Sequence, residues 1–185
     1  MLAPEASAVH GRDEYLAENG FTVAAYDDTW APVSFFALDF SVPNTKRRQA
    51  AIRLHDLHHV ATGFGTDLPG EAEISAWELR GGLRGLGLYV SSIVFGAALM
   101  GLFVAPRRTV RAWRAAGAAR TLWSLGVPYE ELLAMSIGEL RAVVGVPAAG
   151  VEGAIERAGK HPHAPGVAAG ALPSVHVVTR RSRFD

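Results

Sequence analysis

The chain has 185 residues, no cysteine, and 18 basic residues that balance 18 acidic ones, so its formal net charge is zero. This length suits one domain, and a hydrophobic share of 49% is enough to build a core. The absence of cysteine excludes disulfides, thiolate metal sites and cysteine nucleophiles, and the neutral charge argues against a nucleic-acid partner. Any metal must therefore be bound through His, Asp or Glu.

The charges are unevenly distributed along the chain. Residues 1–40 carry seven acidic side chains and one basic side chain, whereas residues 107–120 hold five arginines and no acid. The arginine-rich segment has two interpretations, a solvated helix face or a surface for anionic lipid headgroups or a substrate carboxylate.

The first half of the chain predicts three helices and an irregular segment. A short helix over residues 12–18 ends at Asn19-Gly20, and residues 20–41 show no sustained periodicity. Pro43-Asn44 marks a boundary, with Asn44 as the expected N-cap of a helix over residues 45–62 that Gly63 closes. A turn at residues 67–70 then leads into a third helix over residues 71–80.

The second half predicts a series of helices and then a tail. The uncharged residues 86–105 precede Pro106, and further helices are expected over residues 107–125 and 128–135. Ser136 and Glu139 have the spacing of a capping box, which starts a short helix ending at Gly145. Few alternating patterns occur, so the predicted class is all-α: a single helical domain with a central hydrophobic helix and a flexible C-terminal tail. The predicted regions are an N-terminal lead (1–44), a helical domain (45–146) and an Ala/Gly/Pro-rich extension (147–185).

The 20 uncharged residues 86–105 have the length of a membrane span. Three structures fit them: a true span, a helix buried on all faces, or the wall of a tunnel for an apolar chain. The flanking arginines give no orientation bias for a span.

The segment His55-Asp56-Leu57-His58-His59 carries the clearest chemistry. On a helix that advances roughly 100° per residue, His55, Asp56 and His59 fall within one sector of about 100°. The Gly-rich turn can bring Glu71 to them from the next helix. Such a nitrogen and oxygen donor set suits a divalent metal, most often zinc, with iron or manganese as alternatives. The competing interpretation makes the histidines ordinary helix residues satisfied by Asp56 and water.

The residues around this motif resemble the coenzyme Q biosynthesis protein 4 family. The matching pattern is H-D-x-x-H followed by T-G-x-x-T-D-x-x-G-E, which spans residues 55–71. A second similarity lies in residues 112–146, so that the two cover roughly residues 45–146. Residues 147–185 have no recognised counterpart.

The resemblance implies a mostly helical fold and metal ligands at His55, Asp56, His59 and Glu71. It also implies a lipid-binding helical core, which favours a core helix or the wall of an isoprenoid tunnel for residues 86–105. It implies loss of the ring carboxyl of a polyprenylated hydroxybenzoate, coupled in some members to hydroxylation. It also implies peripheral association with a membrane and interaction with other quinone-biosynthesis enzymes. Whether the protein forms a homodimer is left open. Met1 is followed by Pro4 and Glu5 rather than by a basic and then apolar segment, so no secretory signal is predicted. The expected location is the cytoplasm, at the inner face of the cell membrane.

The mechanism needs a proton for the ring carbon when carbon dioxide leaves. His58 is the nearest spare acid or base in the sequence and is the predicted catalytic residue. Asp67 is interpreted as the N-cap of the helix over residues 71–80. The alternative is that its side chain supports the metal ligands. Two other functions stay open: a non-catalytic lipid-binding scaffold with a structural metal, and a hydrolase that shares only the motif.

Overall fold

The computed structural model describes residues 2–35 and 38–152. The α-helices are α1 (Ala8–Glu18), α2 (Lys46–Thr62), α3 (Leu68–Gly81), α4 (Gly87–Val104), α5 (Pro106–Ala116), α6 (Leu122–Leu125), α7 (Tyr129–Ala134) and α8 (Ile137–Val144). A 3₁₀ helix (Val23–Asp27) and two strands, β1 (Trp30–Phe35) and β2 (Leu38–Pro43), lie between α1 and α2. The fold is mostly helical, which confirms the predicted class. Of the predicted C-terminal extension, residues 147–185, all but residues 147–152 lie outside the described residues.

The hairpin β1–β2 was not predicted. Its strands are antiparallel, and Trp30 pairs with Pro43 at one end and Phe35 with Leu38 at the other. Each strand contains a proline, which removes a backbone donor and usually argues against a strand. In a sheet of two strands both are edges, so the missing donor can face outwards and proline is tolerated.

Helix α2 has the predicted length but a different N-cap. The Thr45 hydroxyl accepts from the backbone N–H of Arg48, so Thr45 caps the helix and the assignment to Asn44 is wrong. The Asn44 side-chain amide instead donates to the carbonyls of Tyr26 and Asp28. At the other end Gly63 adopts the left-handed conformation (φ 81°), as predicted for the helix stop.

Helix α3 begins at Leu68, three residues earlier than predicted. The Asp67 carboxylate accepts from the backbone N–H of Gly70 at 2.9 Å, which confirms its predicted role as a cap. A Cβ on Gly70 would lie 2.2 Å from the carbonyl oxygen of Gly65. Glycine is therefore required where the loop folds back on α3, and this close approach fixes the start of the helix beside α2.

The core is formed by α2, α3 and the C-terminal helices. Its fully buried large residues include Leu57, Ile74, Trp77, Leu122, Leu132, Ile137 and Leu140. The predicted helix over residues 107–125 is broken at Gly117 (φ 46°), so α5 and α6 are separate elements. The capping box at Ser136 and Glu139 is present and starts α8.

Two arginines of α5 are structural. Arg108 and Arg111 reach the fully buried Glu73 of α3 at 2.5 Å and 2.7 Å. A buried carboxylate is stable only when its charge is compensated, so these two side chains join α5 to α3. The predicted headgroup surface is accordingly reduced to the exposed arginines of this segment, such as Arg107.

Helix α4 is not a buried core helix. One face packs on α3 and α5 through Val94, Ala98 and Gly101, while Leu88 is 92% exposed and Phe103 is 76% exposed. A helix buried on all faces would hide these side chains. By length and composition alone, α4 is long and apolar enough to cross a membrane.

We expect Gly101→Ala to destabilise the fold by about 1–3 kcal/mol, because an added methyl overpacks the interface. A Cβ at Gly101 would lie 2.5 Å from the Thr109 hydroxyl and 2.6 Å from the Ala72 methyl. The control is Gly96→Ala in the same helix, where no atom lies within 4 Å and the change should stabilise by up to about 1 kcal/mol. Chemical denaturation measures both, and equal effects would contradict this packing of α4.

Candidate metal centre

Helices α2 and α3 bring three metal-binding side chains together. His55 and His59 lie one turn apart on α2, and Glu71 lies in the first turn of α3. The two Nε2 atoms are 3.2 Å apart. One carboxylate oxygen of Glu71 (Oε2) lies 3.5 Å from His55 Nε2, and the other (Oε1) lies 3.5 Å from His59 Nε2. The cluster His55, His59 and Glu71 could hold a metal ion.

The hydrogen bonds of the two Nδ1 atoms show which ring nitrogens of His55 and His59 carry protons. His59 Nδ1 lies 3.0 Å from the Phe64 carbonyl, which can only accept, so Nδ1 is the donor. His55 Nδ1 lies 2.7 Å from a carboxylate oxygen of Glu78, and it too donates. In the neutral rings both Nε2 lone pairs therefore point into the same small space, next to the Glu71 carboxylate.

Two lone pairs and a carboxylate in contact repel one another unless a positive charge lies between them. In the metal-free protein that charge is a proton. Burial lowers the pKa of His55, but the Glu78 and Glu71 carboxylates outweigh it and raise the pKa well above its ordinary value. Burial lowers the pKa of His59. A proton on His55 thus supplies the positive charge of the metal-free cluster, and a metal ion would displace it.

The spacing of the cluster is compatible with a metal. A tetrahedral ion with bonds of about 2.0–2.1 Å places its ligand atoms about 3.3–3.4 Å apart. The two Nε2 atoms, 3.2 Å apart, are close to that value, and each lies 3.5 Å from a different oxygen of Glu71. One ligand atom from each side chain lies within 4.8 Å of the other two, so the cluster could hold a metal ion.

Glu78 supports the cluster from α3. Its carboxylate is fully buried and one oxygen accepts from both His55 Nδ1, at 2.7 Å, and His58 Nδ1, at 2.8 Å. Burial raises the pKa of Glu78, but the two histidines outweigh it and bring the pKa down to about 2. Glu78 is thus an ionised group that fixes the orientation of His55.

Asp56, the remaining predicted ligand, is not part of the cluster in this structure. Its carboxylate accepts a hydrogen bond from the Tyr26 hydroxyl of the 3₁₀ helix. Burial raises the pKa of Asp56 to about 7 although His55 and the Tyr26 hydrogen bond lower it. Asp56 lies about 60° beyond His59 around α2, and this direction faces the 3₁₀ helix rather than α3.

The position of His58 does not support its predicted catalytic role. It is fully buried, and its ring lies between those of Trp77 and Trp123. Its Nδ1 donates to Glu78, and its Nε2 accepts from the backbone N–H of Leu122 at 2.8 Å. Both nitrogens are used, and His58 does not line the cavity beside the cluster, so it joins α2 to α3 and α6.

A cavity of about 510 Å³ opens beside the cluster. His55, Asp56 and Glu71 line one part of its wall. Most of the remaining wall is apolar and comes from α2, α3, α4 and the 3₁₀ helix, and it includes Ala51, Ile52, Ala72, Val90, Ile93, Val94, Ala97 and Met100. One face of α4 therefore forms a cavity wall, as the tunnel interpretation of this helix requires.

Three residues of the site were missed in the sequence. Glu78 follows Glu71 by seven residues, a spacing that places both on one helix face, so this signal was available. Tyr15 stacks on His59 with ring centroids 5.2 Å apart, and Tyr26 binds Asp56. No local pattern connects these two tyrosines to α2, because they approach it from distant parts of the chain.

The fold and site define a helical protein with a candidate His-His-Glu metal centre at the wall of an apolar cavity. Comparison with protein-family models finds no match for this chain, and comparison with curated proteins finds none either.

Proposed function

We propose that the protein is a metal-dependent enzyme that removes the ring carboxyl of a polyprenylated hydroxybenzoate or a related prenylated aromatic acid. The reaction is the one implied by the resemblance of residues 55–71 to the coenzyme Q biosynthesis protein 4 family. The observation that carries the proposal is the cluster of His55, His59 and Glu71, two of whose members, His55 and Glu71, line an apolar cavity of about 510 Å³. This combination suits a ligand with a polar ring and an apolar chain.

The proposed metal is a divalent ion held by His55, His59 and Glu71. Zinc is favoured because the ligand spacing fits a tetrahedral ion, while iron and manganese accept the same donors. The metal would supply Lewis acidity, which stabilises negative charge on the aromatic acid as carbon dioxide leaves.

The protein's own residues have two tasks in this proposal. The apolar wall excludes water and binds the isoprenoid chain, whose burial contributes about 0.8 kcal/mol for each CH₂ group. The ring carbon must exchange its proton with a group that lines the cavity. Tyr26 and Asp56 both line the cavity, so they are the proposed proton donors. His58 does not line the cavity, so this proposal no longer assigns it that task.

A non-catalytic lipid-binding scaffold is the second candidate. It shares the cavity and the metal but not the chemistry. Three protein ligands are typical of catalytic zinc sites, which keep a fourth position for water or substrate, whereas structural sites are closed by four. The cluster of three ligands therefore favours the enzyme.

The experiment is reconstitution of the metal-free protein with single divalent metals, followed by measurement of carbon dioxide release from a 4-hydroxybenzoate with a short prenyl chain. We expect release with one or more metals and none without metal. Tight binding of the prenylated acid with no release under any metal, aerobically or anaerobically, would contradict the enzyme and support the scaffold.

The proposed location is the inner face of the cell membrane, with α4 in contact with lipid. The exposed apolar residues of α4 include Leu88, Phe95, Leu99, Leu102 and Phe103. Phe103 lies near the C-terminal end of α4, and the exposed Arg107 follows just beyond it. A large apolar side chain beside a cation suits the boundary between acyl chains and anionic headgroups.

We expect Phe103→Glu to reduce partitioning onto vesicles of phosphatidylcholine and phosphatidylglycerol by about tenfold or more. Transfer of one phenylalanine out of water contributes about 1.5–3 kcal/mol, and the added carboxylate is repelled by the anionic surface. The matched control is Val23→Glu, because Val23 is an exposed apolar residue of the 3₁₀ helix. Co-sedimentation with vesicles measures both variants, and an equal loss in the two would contradict a specific role of α4.

A further inference from the structure

A second polar group lines the cavity at a distance from the metal centre. Arg48 lies in the first turns of α2, seven residues before His55, and both side chains line the cavity. Residues seven apart share one face of a helix, and at 1.5 Å per residue they are separated by about 10 Å along its axis. The cavity wall thus carries the metal ligands in one place and a guanidinium group two turns away.

The Arg48 side chain is held in place by a buried neighbour. Its guanidinium donates to the Asn44 side-chain oxygen at 3.0 Å. Asn44 is itself buried and is fixed because its amide nitrogen donates to the carbonyls of Tyr26, at 3.2 Å, and Asp28, at 2.7 Å. These hydrogen bonds engage both polar atoms of the Asn44 side chain. The Asn44 side chain therefore holds the Arg48 guanidinium in position in the absence of a ligand.

Arg48 has no carboxylate partner within the described part of the chain. By contrast, Arg12, Arg53, Arg108 and Arg111 each lie within 4 Å of an acidic side chain. Burial lowers the pKa of Arg48, and only a weak interaction with Tyr89 opposes it. A half-buried positive charge beside an apolar cavity is costly unless a negative charge compensates it. This cost is reduced when an anion binds from within the cavity.

We propose that Arg48 binds the anionic headgroup, a carboxylate or phosphate, of a single-chain lipid whose apolar chain occupies the cavity. The guanidinium group is suited to either anion, because it donates two parallel hydrogen bonds to carboxylate or phosphate oxygens. The apolar wall supplies most of the contact area, and Arg48 supplies the preference for an acid. This binding needs neither the metal nor turnover, so it goes beyond the proposed function and is testable without it.

The structure also supplies a probe for this test. Trp123 lines the cavity, so a brominated lipid bound there quenches its fluorescence. Metal-free protein is titrated with dibromostearic acid and with its uncharged methyl ester. We expect the wild type to bind the acid more tightly, and Trp123→Phe to lose most of the quenching by both lipids.

The decisive variant is Arg48→Gln, which keeps a polar hydrogen-bonding side chain, shorter than that of arginine, and removes the charge. We expect its Kd for the acid to rise about tenfold and its Kd for the ester to change less than about twofold. Arg48→Lys should retain the preference for the acid to within about threefold of wild type. The matched control is Arg47→Gln, since Arg47 is the neighbouring arginine, is exposed and does not line the cavity.

Four results would overturn the proposal. Equal weakening of acid and ester in Arg48→Gln would mean that the residue only shapes the cavity, and unchanged binding of both would mean that it makes no contact. Displacement of the acid by submillimolar inorganic phosphate would identify a site for free anions rather than lipid. Binding of the ester with no preference for the acid in wild type would also reject Arg48 while leaving the lipid cavity of the proposed function intact.

Discussion

Replacing Glu71 by glutamine is expected to weaken zinc binding by about a hundredfold or more while the metal-free fold stays close to wild type. The carboxylate is one of only three ligands in the cluster, and glutamine keeps its shape but removes the negative charge that balances the cation. In the metal-free protein Glu71 is partly exposed in the first turn of α3, where an acidic side chain contributes about 0.3–1 kcal/mol.

Competition with a chromophoric chelator measures zinc affinity, and thermal unfolding measures the consequence. At a zinc concentration of about 100 times Kd, wild type should gain about 2.7 kcal/mol, and Glu71→Gln should gain almost nothing at the same concentration. Glu130→Gln is the matched control because Glu130 is an exposed acidic residue that also lies in the first turn of a helix, α7. An unchanged zinc affinity in Glu71→Gln would show that Glu71 is not a zinc ligand.

Glu78→Gln is expected to destabilise the metal-free protein by about 2–4 kcal/mol. The Glu78 carboxylate accepts from two buried histidines, and hydrogen bonds to a charged group contribute about 1.5–3 kcal/mol each. Its second oxygen has no hydrogen-bond partner among the described residues, so the NH₂ group of glutamine would be buried there without an acceptor. For a chain of this size the melting temperature should fall by about 5–15 °C.

The effect of Glu78 should depend on pH in a defined direction. Its pKa is lowered from 4.5 to about 2, so the ionised carboxylate stabilises the fold above pH 4.5, and this contribution is lost as the pH falls from about 4.5 to about 2. The difference in unfolding free energy between wild type and Glu78→Gln should therefore shrink over that interval. Glu14→Gln, at an exposed position, is the control, and a difference that stays constant with pH would contradict the ionised state of Glu78.

Glu78 also links stability to metal binding. Because it orients His55, its loss should weaken zinc binding as well, by about 10–100-fold, even though Glu78 itself is not a ligand. Glu71→Gln and Glu78→Gln thus separate the two roles. Glu71→Gln should lower zinc affinity with little effect on the stability of the metal-free fold. Glu78→Gln should lower both the zinc affinity and that stability.

Local sequence was sufficient for most helices and for the pairing of ligands. The ends of α2, α3 and α8 are set by residues within the same few positions, such as Gly63, Asp67 and Ser136. Capping depends on hydrogen bonds between near neighbours, so it can be predicted without the rest of the fold. His55 and His59 share a face because of the helical period, and the Gly-rich turn returns Glu71 to them.

The tertiary structure decided which side of α2 each remaining residue of the motif faces. Asp56 is turned towards Tyr26 and His58 towards Glu78 and Leu122, so neither joins the cluster of metal ligands in this structure. Spacing gives the relative directions of side chains around a helix, but it does not say which neighbouring element lies in each direction. Tyr15, Tyr26 and α6 all reach α2 across large distances in sequence.

Helix α4 also separates what the sequence determines from what tertiary packing determines. Its 18 uncharged residues are plain in the sequence, yet hydropathy is nearly equal on all faces of the helix, so it cannot predict which face is covered. The contacts of Gly101 with α3 and α5 settle that question: one face packs on the protein, part of the helix lines the cavity, and Leu88 and Phe103 remain exposed. The sequence alone therefore determined most of the helices and the three side chains that meet in the candidate metal cluster. Only packing between distant segments determined the cavity, the supporting Glu78 and the exposed apolar surface.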